Sequence, residues 1–113
     1  MKPFFVHNEI LRVFKDYYPD IALDEVDWGW EVPAKIYEAS FSNGEVDFEV
    51  EITVTGQLLL TEISMEIEDL PEHILEAAEA QFPGHQIEEA EMIQYSNGDV
   101  SYELDIKDVE TGE

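Results

Sequence analysis

From Glu45 to Val54 every second residue is apolar: Val46, Phe48, Val50, Ile52 and Val54 alternate with Glu45, Asp47, Glu49, Glu51 and Thr53. A period of two belongs to a β-strand with one face buried and one in water. The same alternation returns in Val100, Tyr102, Leu104 and Ile106, set between Asp99, Ser101, Glu103 and Asp105. Both runs follow Ser-Asn-Gly, at Ser42-Asn43-Gly44 and Ser96-Asn97-Gly98. Asn-Gly between alternating runs marks a hairpin, because a tight turn needs residues that accept positive φ. Two other stretches change period. Ile10, Val13, Phe14 and Tyr17, then Ile74, Ala77, Ala78 and Phe82, recur at helical spacing, and each run closes on an aromatic-Pro pair, Tyr18-Pro19 and Phe82-Pro83, that stops a helix. Pro71 and Glu72 suit the first turn of the second helix.

These matches form an internal repeat. The helical runs correspond at an offset of 64 residues and the hairpin motifs at 54, so the second copy carries a ten-residue deletion. The pattern predicts helix 7–18, strands 23–30, 35–42, 45–54 and 57–67, helix 71–82, and strands 86–95 and 99–107, with Val32-Pro33-Ala34 and Thr55-Gly56 as further turns. The implied fold class is α+β: two tandem helix-plus-hairpin repeats, about 7–67 and a shortened 70–107, forming one antiparallel sheet with two helices on one face, then a polar tail 108–113. Phe48, Val50, Ile52, Val100, Tyr102 and Leu104 are the expected inward residues.

Two-residue turns at Asn43-Gly44 and Thr55-Gly56 pair Ser42 with Glu45 and Val54 with Gln57, and the remaining pairs follow. Phe41 then meets Val46, Ala39 meets Phe48, and Ile52, Val50, Phe48 and Val46 meet Leu59, Thr61, Ile63 and Met65. On the open side this register gives the rows Ser42, Glu45, Glu66; Ser40, Asp47, Ser64; Glu38, Glu49, Glu62; and Ile36, Glu51, Leu60. Like charges directly opposed destabilise a sheet, so a row of three glutamates is a cost that folding does not require. Leu58, Leu60 and Ile36 add an apolar strip. Trp28 and Trp30 share a strand face and stand as rim residues of that strip, the alternative being a place in the core. The candidate binding surface is therefore Trp28, Trp30, Ile36, Glu38, Glu49, Glu51, Leu58, Leu60 and Glu62. Strand 86–95 allows two registers, one with Met92 outward and one with Met92 inward.

Charge sharpens the picture. The 113 residues hold 28 Asp and Glu against 5 Lys and Arg, a formal net charge of -23, which disfavours direct binding to nucleic acid or to anionic membrane surfaces. The longest apolar runs are a few residues, so no membrane span is expected. The N-terminal stretch MKPFFVHNEILRVF has no signal-peptide pattern. With no cysteine, disulfides, thiolate zinc sites and cysteine nucleophiles are excluded. His7, His73 and His85 stand apart near helix ends, without metal-ligand spacing, and the six glycines are isolated rather than gathered into a phosphate-binding loop. Neither an enzyme nor a cofactor is expected.

Tyr18-Pro19, Val26-Asp27-Trp28, Tyr37-Glu38-Ala39-Ser40-Phe41, Gly56, Leu70-Pro71 and Phe82-Pro83-Gly84 together resemble the PepSY-like family, whose architecture is related to the beta-lactamase inhibitor protein. The resemblance spans nearly the whole chain. It implies a single PepSY-like domain over 1–113, an exported protein without catalysis, and binding through the open face of the sheet, as the related inhibitor grips its enzyme. The leading expectation is a non-catalytic, possible inhibitor-like module for a protein or peptide partner, one of basic character. The alternative is an acidic nucleic-acid mimic that occupies the basic cleft of a DNA-binding protein. A third reading is low-affinity binding of divalent cations such as Ca²⁺.

Overall fold

The computed structural model describes residues 6–31 and 35–108. Its elements run α1 (Asn8–Tyr17), β1 (Asp27–Glu31), β2 (Ile36–Asn43), β3 (Val46–Thr53), β4 (Leu58–Met65), α2 (Glu72–Gln81), β5 (His85–Tyr95) and β6 (Val100–Asp108), with short 3-10 turns at Leu23–Glu25 and Ile67–Asp69. The six strands pair antiparallel in sequence order. This is the α+β architecture that the alternation and helical runs imply. The strand expected over 23–30 begins only at Asp27, because Leu23-Asp24-Glu25 close a 3-10 turn first. The turn expected at Val32-Pro33-Ala34 lies outside the described residues.

Helix α1 starts where His7 accepts the Glu9 N–H through Nδ1 and ends where Lys15 Nζ donates to the Pro19 and Ile21 carbonyls, each at 2.9 Å. Its apolar stripe drives Ile10 and Phe14 into the sheet face made by β1, β2 and β3. There they join Val26, Trp28, Ala39, Phe41, Val50 and Ile52 as the buried core. Phe14 meets Trp28 and Phe41 edge-on at ring-centre distances of 5.6 and 5.3 Å, a geometry aromatic pairs favour. Burying one such side chain is worth about 1.5–3 kcal/mol.

Helix α2 obeys the same local rules without the same reward. It has no fully buried residue, and its Leu75, Ala78 and Phe82 border a hollow of about 470 Å³ against Ile87 and Ile106. Leu70 and Ala90 are buried in this half, whereas Phe48, Tyr102 and Leu104 are only half-buried. Val100, expected inward and buried, is 49% exposed: it points to the helix side, but no helix covers it.

The hairpins correct the expected register. In the first, Asn43 pairs with Val46 and the two turn residues are Gly44 and Glu45, one step later than expected. Gly44 takes φ +68 while Glu45 does not, the pattern of a turn that needs glycine only at its first central position. The slip moves every partner by two, so each residue keeps its face but changes its row. Phe41 meets Phe48 instead of Val46, their rings stacked at 5.1 Å, and Ala39 meets Val50.

The other two turns are three-residue loops with glycine last: Gly56 N–H donates to the Thr53 carbonyl and Gly98 N–H to that of Tyr95, both at 2.9 Å. In β4 the change is absorbed by a bulge. Ile52 pairs with Leu58, Leu59 is the extra residue, and from Glu51–Leu60 onward the expected pairing holds. Leu58 is consequently on the core side, not on the open apolar strip. In the last hairpin the odd loop length pairs Met92 with Tyr102 and turns Met92 inward, and Glu88 forms a second bulge before Ile87–Ile106.

Candidate functional site

With the helices on one side, the other face of the sheet collects the outward residues of all six strands. Asp27, Gly29 and Glu31 pair with Ser40, Glu38 and Ile36. The rows continue as Ser40–Glu49–Glu62–Ile93 and Glu38–Glu51–Leu60–Tyr95. The expected row Glu38, Glu49, Glu62 is therefore not a straight one: Glu49 and Glu62 are directly opposed, and Glu38 reaches Glu49 diagonally from beside Glu51. Likewise Ser42 and Ser64, expected in different rows, flank Asp47. The Ser42 hydroxyl donates to its carboxylate at 2.6 Å, and its N–H donates to Ser64 Oγ at 2.8 Å.

The carboxyl groups remain coupled across the strands. Sharing a hydrogen bond with Glu49 holds Glu38 above its ordinary pKa, with partial burial and repulsion from Glu49 adding to this. Glu49 is raised first by a hydrogen bond to Glu62, then by burial. Glu51 is raised by burial and then by repulsion from Glu38, Glu31 and Glu49. On β5, Glu91 is raised by burial and by Glu103, its direct partner on β6. A hydrogen bond between two carboxyls needs one of them protonated, so upward shifts follow wherever like groups are brought together.

Glu62, Glu91 and Glu103 bring carboxylate oxygens within 4.8 Å of one another. Oxygen ligands suit Ca²⁺, which takes six to eight of them, so this trio could supply only part of a coordination shell. A trough of about 750 Å³ runs across β1 to β5. Ser40, Ser42 and Ser64 line it together with Asp27, Asp47, Glu49, Glu62 and Glu91.

Of the residues singled out in the sequence, Glu38, Glu49, Glu51, Leu60 and Glu62 lie together on this face, with Ile36 at its margin. Three do not. Trp28 is 2% exposed and belongs to the core, its indole N–H without an acceptor among the described residues. Trp30 is 46% exposed but points to the helix side, packed on Tyr37 at 4.8 Å, because it shares strand parity with Trp28 and the open face takes Asp27, Gly29 and Glu31. Leu58 is turned to the core by the β4 bulge. Glu91 and Glu103 are the members that sequence reasoning missed. The alternation in β6 already turned Glu103 outward, but Glu91 depended on the register of β5.

No protein-family model matches the sequence, and no curated protein matches it. Solved structures do match in shape. A DUF2874 family protein from Bacteroides uniformis superposes with a TM-score of 0.83 at 16% identity, over 95% of this chain and 76% of that one. A BLIP-like protein from Bacteroides fragilis gives 0.72 at 17%, over 89% and 71%. A protein of Bacteroides eggerthii described as periplasmic gives 0.80 at 15%, over 90% and 72%. At such identities the likeness establishes a BLIP-like fold and nothing of activity. No helix among the described residues is long and apolar enough to cross a membrane.

Proposed function

We propose that this protein is a non-catalytic binding module that takes a protein or peptide partner, one presenting basic residues, on the open face of its sheet. The observation that carries the proposal is the set of adjacent carboxylates across β2 to β6: Glu49 directly opposes Glu62, Glu91 opposes Glu103, and Glu62, Glu91 and Glu103 bring oxygens within 4.8 Å of one another. Facing like charges cost stability, and a partner carrying Lys or Arg would turn that cost into attraction and faster encounter. The shape shared with a BLIP-like protein supports an inhibitor-like role. Membership of the PepSY-like family and an exported location belong to the same proposal, supported by the repeated aromatic-Pro helix ends and by the neighbour described as periplasmic.

The test uses immobilised wild-type protein and a Glu49→Lys/Glu62→Lys variant, each exposed to fractions of the source organism. A partner retained by the wild type, released by salt and lost with the variant is the expected result. Identical retention by both proteins would overturn the open face as the binding surface. A net charge of -23 favours one second reading, in which the partner is a DNA-binding protein and the face stands in for a phosphate backbone. Competition by duplex DNA for the retained partner separates the two.

A further inference from the structure

We infer that the free edge of β6, which borders the open face and shares Glu103 with it, is a second docking site and accepts an extended peptide of alternating apolar and basic residues as a seventh strand. β6 lies at the end of the strand order, paired to β5 on one side and to no other strand among the described residues. An edge of this kind presents a row of N–H and C=O groups ready to pair, and proteins usually blunt it with proline, a bulge, a very short strand or charged side chains. Of these β6 carries only the last, Glu103, Asp105, Lys107 and Asp108, whose charges select among partners rather than interrupt the backbone ladder. β6 runs nine residues, Val100–Asp108, without proline or glycine, and the nearby bulge at Glu88 sits in β5 instead.

Its two faces specify what could pair there. Toward the helix side point Val100, Tyr102, Leu104 and Ile106. The hollow beside α2 reaches Ile106, leaving Val100 half-exposed and Tyr102 and Leu104 half-buried. Toward the other side point Ser101, Glu103 and Asp105, and the single cation of the strand, Lys107, is engaged by Glu88 at 3.4 Å. An added strand would gain ladder hydrogen bonds, cover the apolar row with its own apolar residues, and set its intervening residues beside two carboxylates. Opposite charges across strands stabilise the pair, and like charges oppose it.

That condition works against a second copy of this chain. Antiparallel self-pairing centred on Leu104 would set Glu103 against Asp105 twice, between two chains of net charge -23. The occupant is a different chain, with Lys or Arg beside Glu103 and Asp105 and aliphatic residues beside Tyr102 and Leu104. This is recognition by strand addition, in which main-chain bonds give affinity and alternate side chains give specificity.

The experiment titrates the full chain, followed by amide NMR, with an eight-residue peptide alternating valine and lysine. Its controls are the valine–glutamate counterpart, a scrambled valine–lysine peptide, and a version N-methylated on alternate residues, which removes the donors that would face β6. The alternating peptide should shift and protect amides of residues 100–106. It should bind about tenfold or more tightly than the N-methylated version, as expected for several lost hydrogen bonds. A Glu103→Lys/Asp105→Lys variant, changed only at exposed side chains, should prefer the valine–glutamate peptide. Equal affinity for the scrambled or N-methylated peptide, no binding at low salt, or shifts confined to the strand centres around Glu38, Glu49 and Glu62 would each overturn the inference. The last outcome would still leave the open-face reading standing.

Discussion

The two repeats begin from nearly the same sequence and end in different packing. At the offset of 64, Ile10 and Leu11 correspond to Ile74 and Leu75, and Tyr18-Pro19 to Phe82-Pro83, but Val13 and Phe14 are replaced by Ala77 and Ala78. The ten-residue deletion also removes the counterpart of β1, and with it any equivalent of Trp28. The first repeat therefore closes a core around Phe14, whereas the second lays a thin helix beside a sheet it cannot fill. The radius of gyration, 16.5 Å against roughly 13 Å for a compact chain of this length, agrees with a sheet backed mainly at one end. Helix-forming pattern and burial are thus separate properties. A helix can keep its period and its stop signals after losing the volume that anchors it.

The most severe test of this contrast makes one substitution at both equivalent positions. Ile10→Ala removes a fully buried side chain and should cost about 2–5 kcal/mol, whereas Ile74→Ala should cost under about 1.5 kcal/mol. Urea denaturation of the two variants measures both, and equal losses would mean that the second repeat is as well packed as the first.

The converse change adds volume where the repeat lost it. Ala78→Leu directs a larger side chain toward the hollow bounded by Leu75, Phe82, Ile87 and Ile106, and should raise stability by about 1 kcal/mol for some 40 Å² of apolar surface removed from water. The same denaturation measurement decides it. A loss would show that the hollow cannot take the added methyls without strain.

On the open face, Glu49→Gln keeps the shape while removing repulsion from Glu38 and Glu62. It should stabilise the domain by some tenths of a kcal/mol up to about 1 in low salt, with the gain shrinking as salt is added. Thermal melts with and without NaCl follow this. If CaCl₂ at matched ionic strength instead stabilises the wild type more than the variant, the face binds the cation and Glu49 contributes to the site.

The finest test is the pH profile. Glu38, Glu49, Glu51 and Glu91 have pKa values raised by folding, so the native chain holds their protons more tightly than the unfolded chain does. As pH rises from the ordinary carboxylate value to the raised ones, the native state is the more protonated and stability falls, then levels once both states are ionised. Below the ordinary value both states are protonated and the penalty disappears. The melting temperature should accordingly be higher on the acid side of that window than at neutral pH, with a shallower slope in Glu49→Gln. A profile that rises with pH through the window would contradict the coupled carboxylates.

What the sequence determined by itself was periodicity and its consequences. Alternation assigned inside and outside on β3 and β6, aromatic-Pro pairs ended both helices, and Ser-Asn-Gly located two hairpins. A two-residue slip preserves parity, which is why Glu38, Glu49, Glu51, Leu60 and Glu62 could be placed on the open face even though the assumed turn was wrong. The tertiary structure decided everything that parity cannot see. The same Ser-Asn-Gly leads into a two-residue turn, Gly44-Glu45, in one hairpin and closes a three-residue loop before Asp99 in the other, where the Asp99 N–H donates to Asn97 Oδ1 at 2.9 Å and the Asn97 amide donates to the Asp99 carboxylate at 3.1 Å. The position of the first turn fixed the row in which Glu38 sits, the length of the last loop fixed the direction of Met92, and bulges moved Leu58 and Ile87 to the helix side. Trp28 and Trp30 share a strand face in the sequence, but only the position of α1 buries one and leaves the other exposed. Periodicity is set by local geometry, while register and cover depend on which distant surfaces find volume to fill.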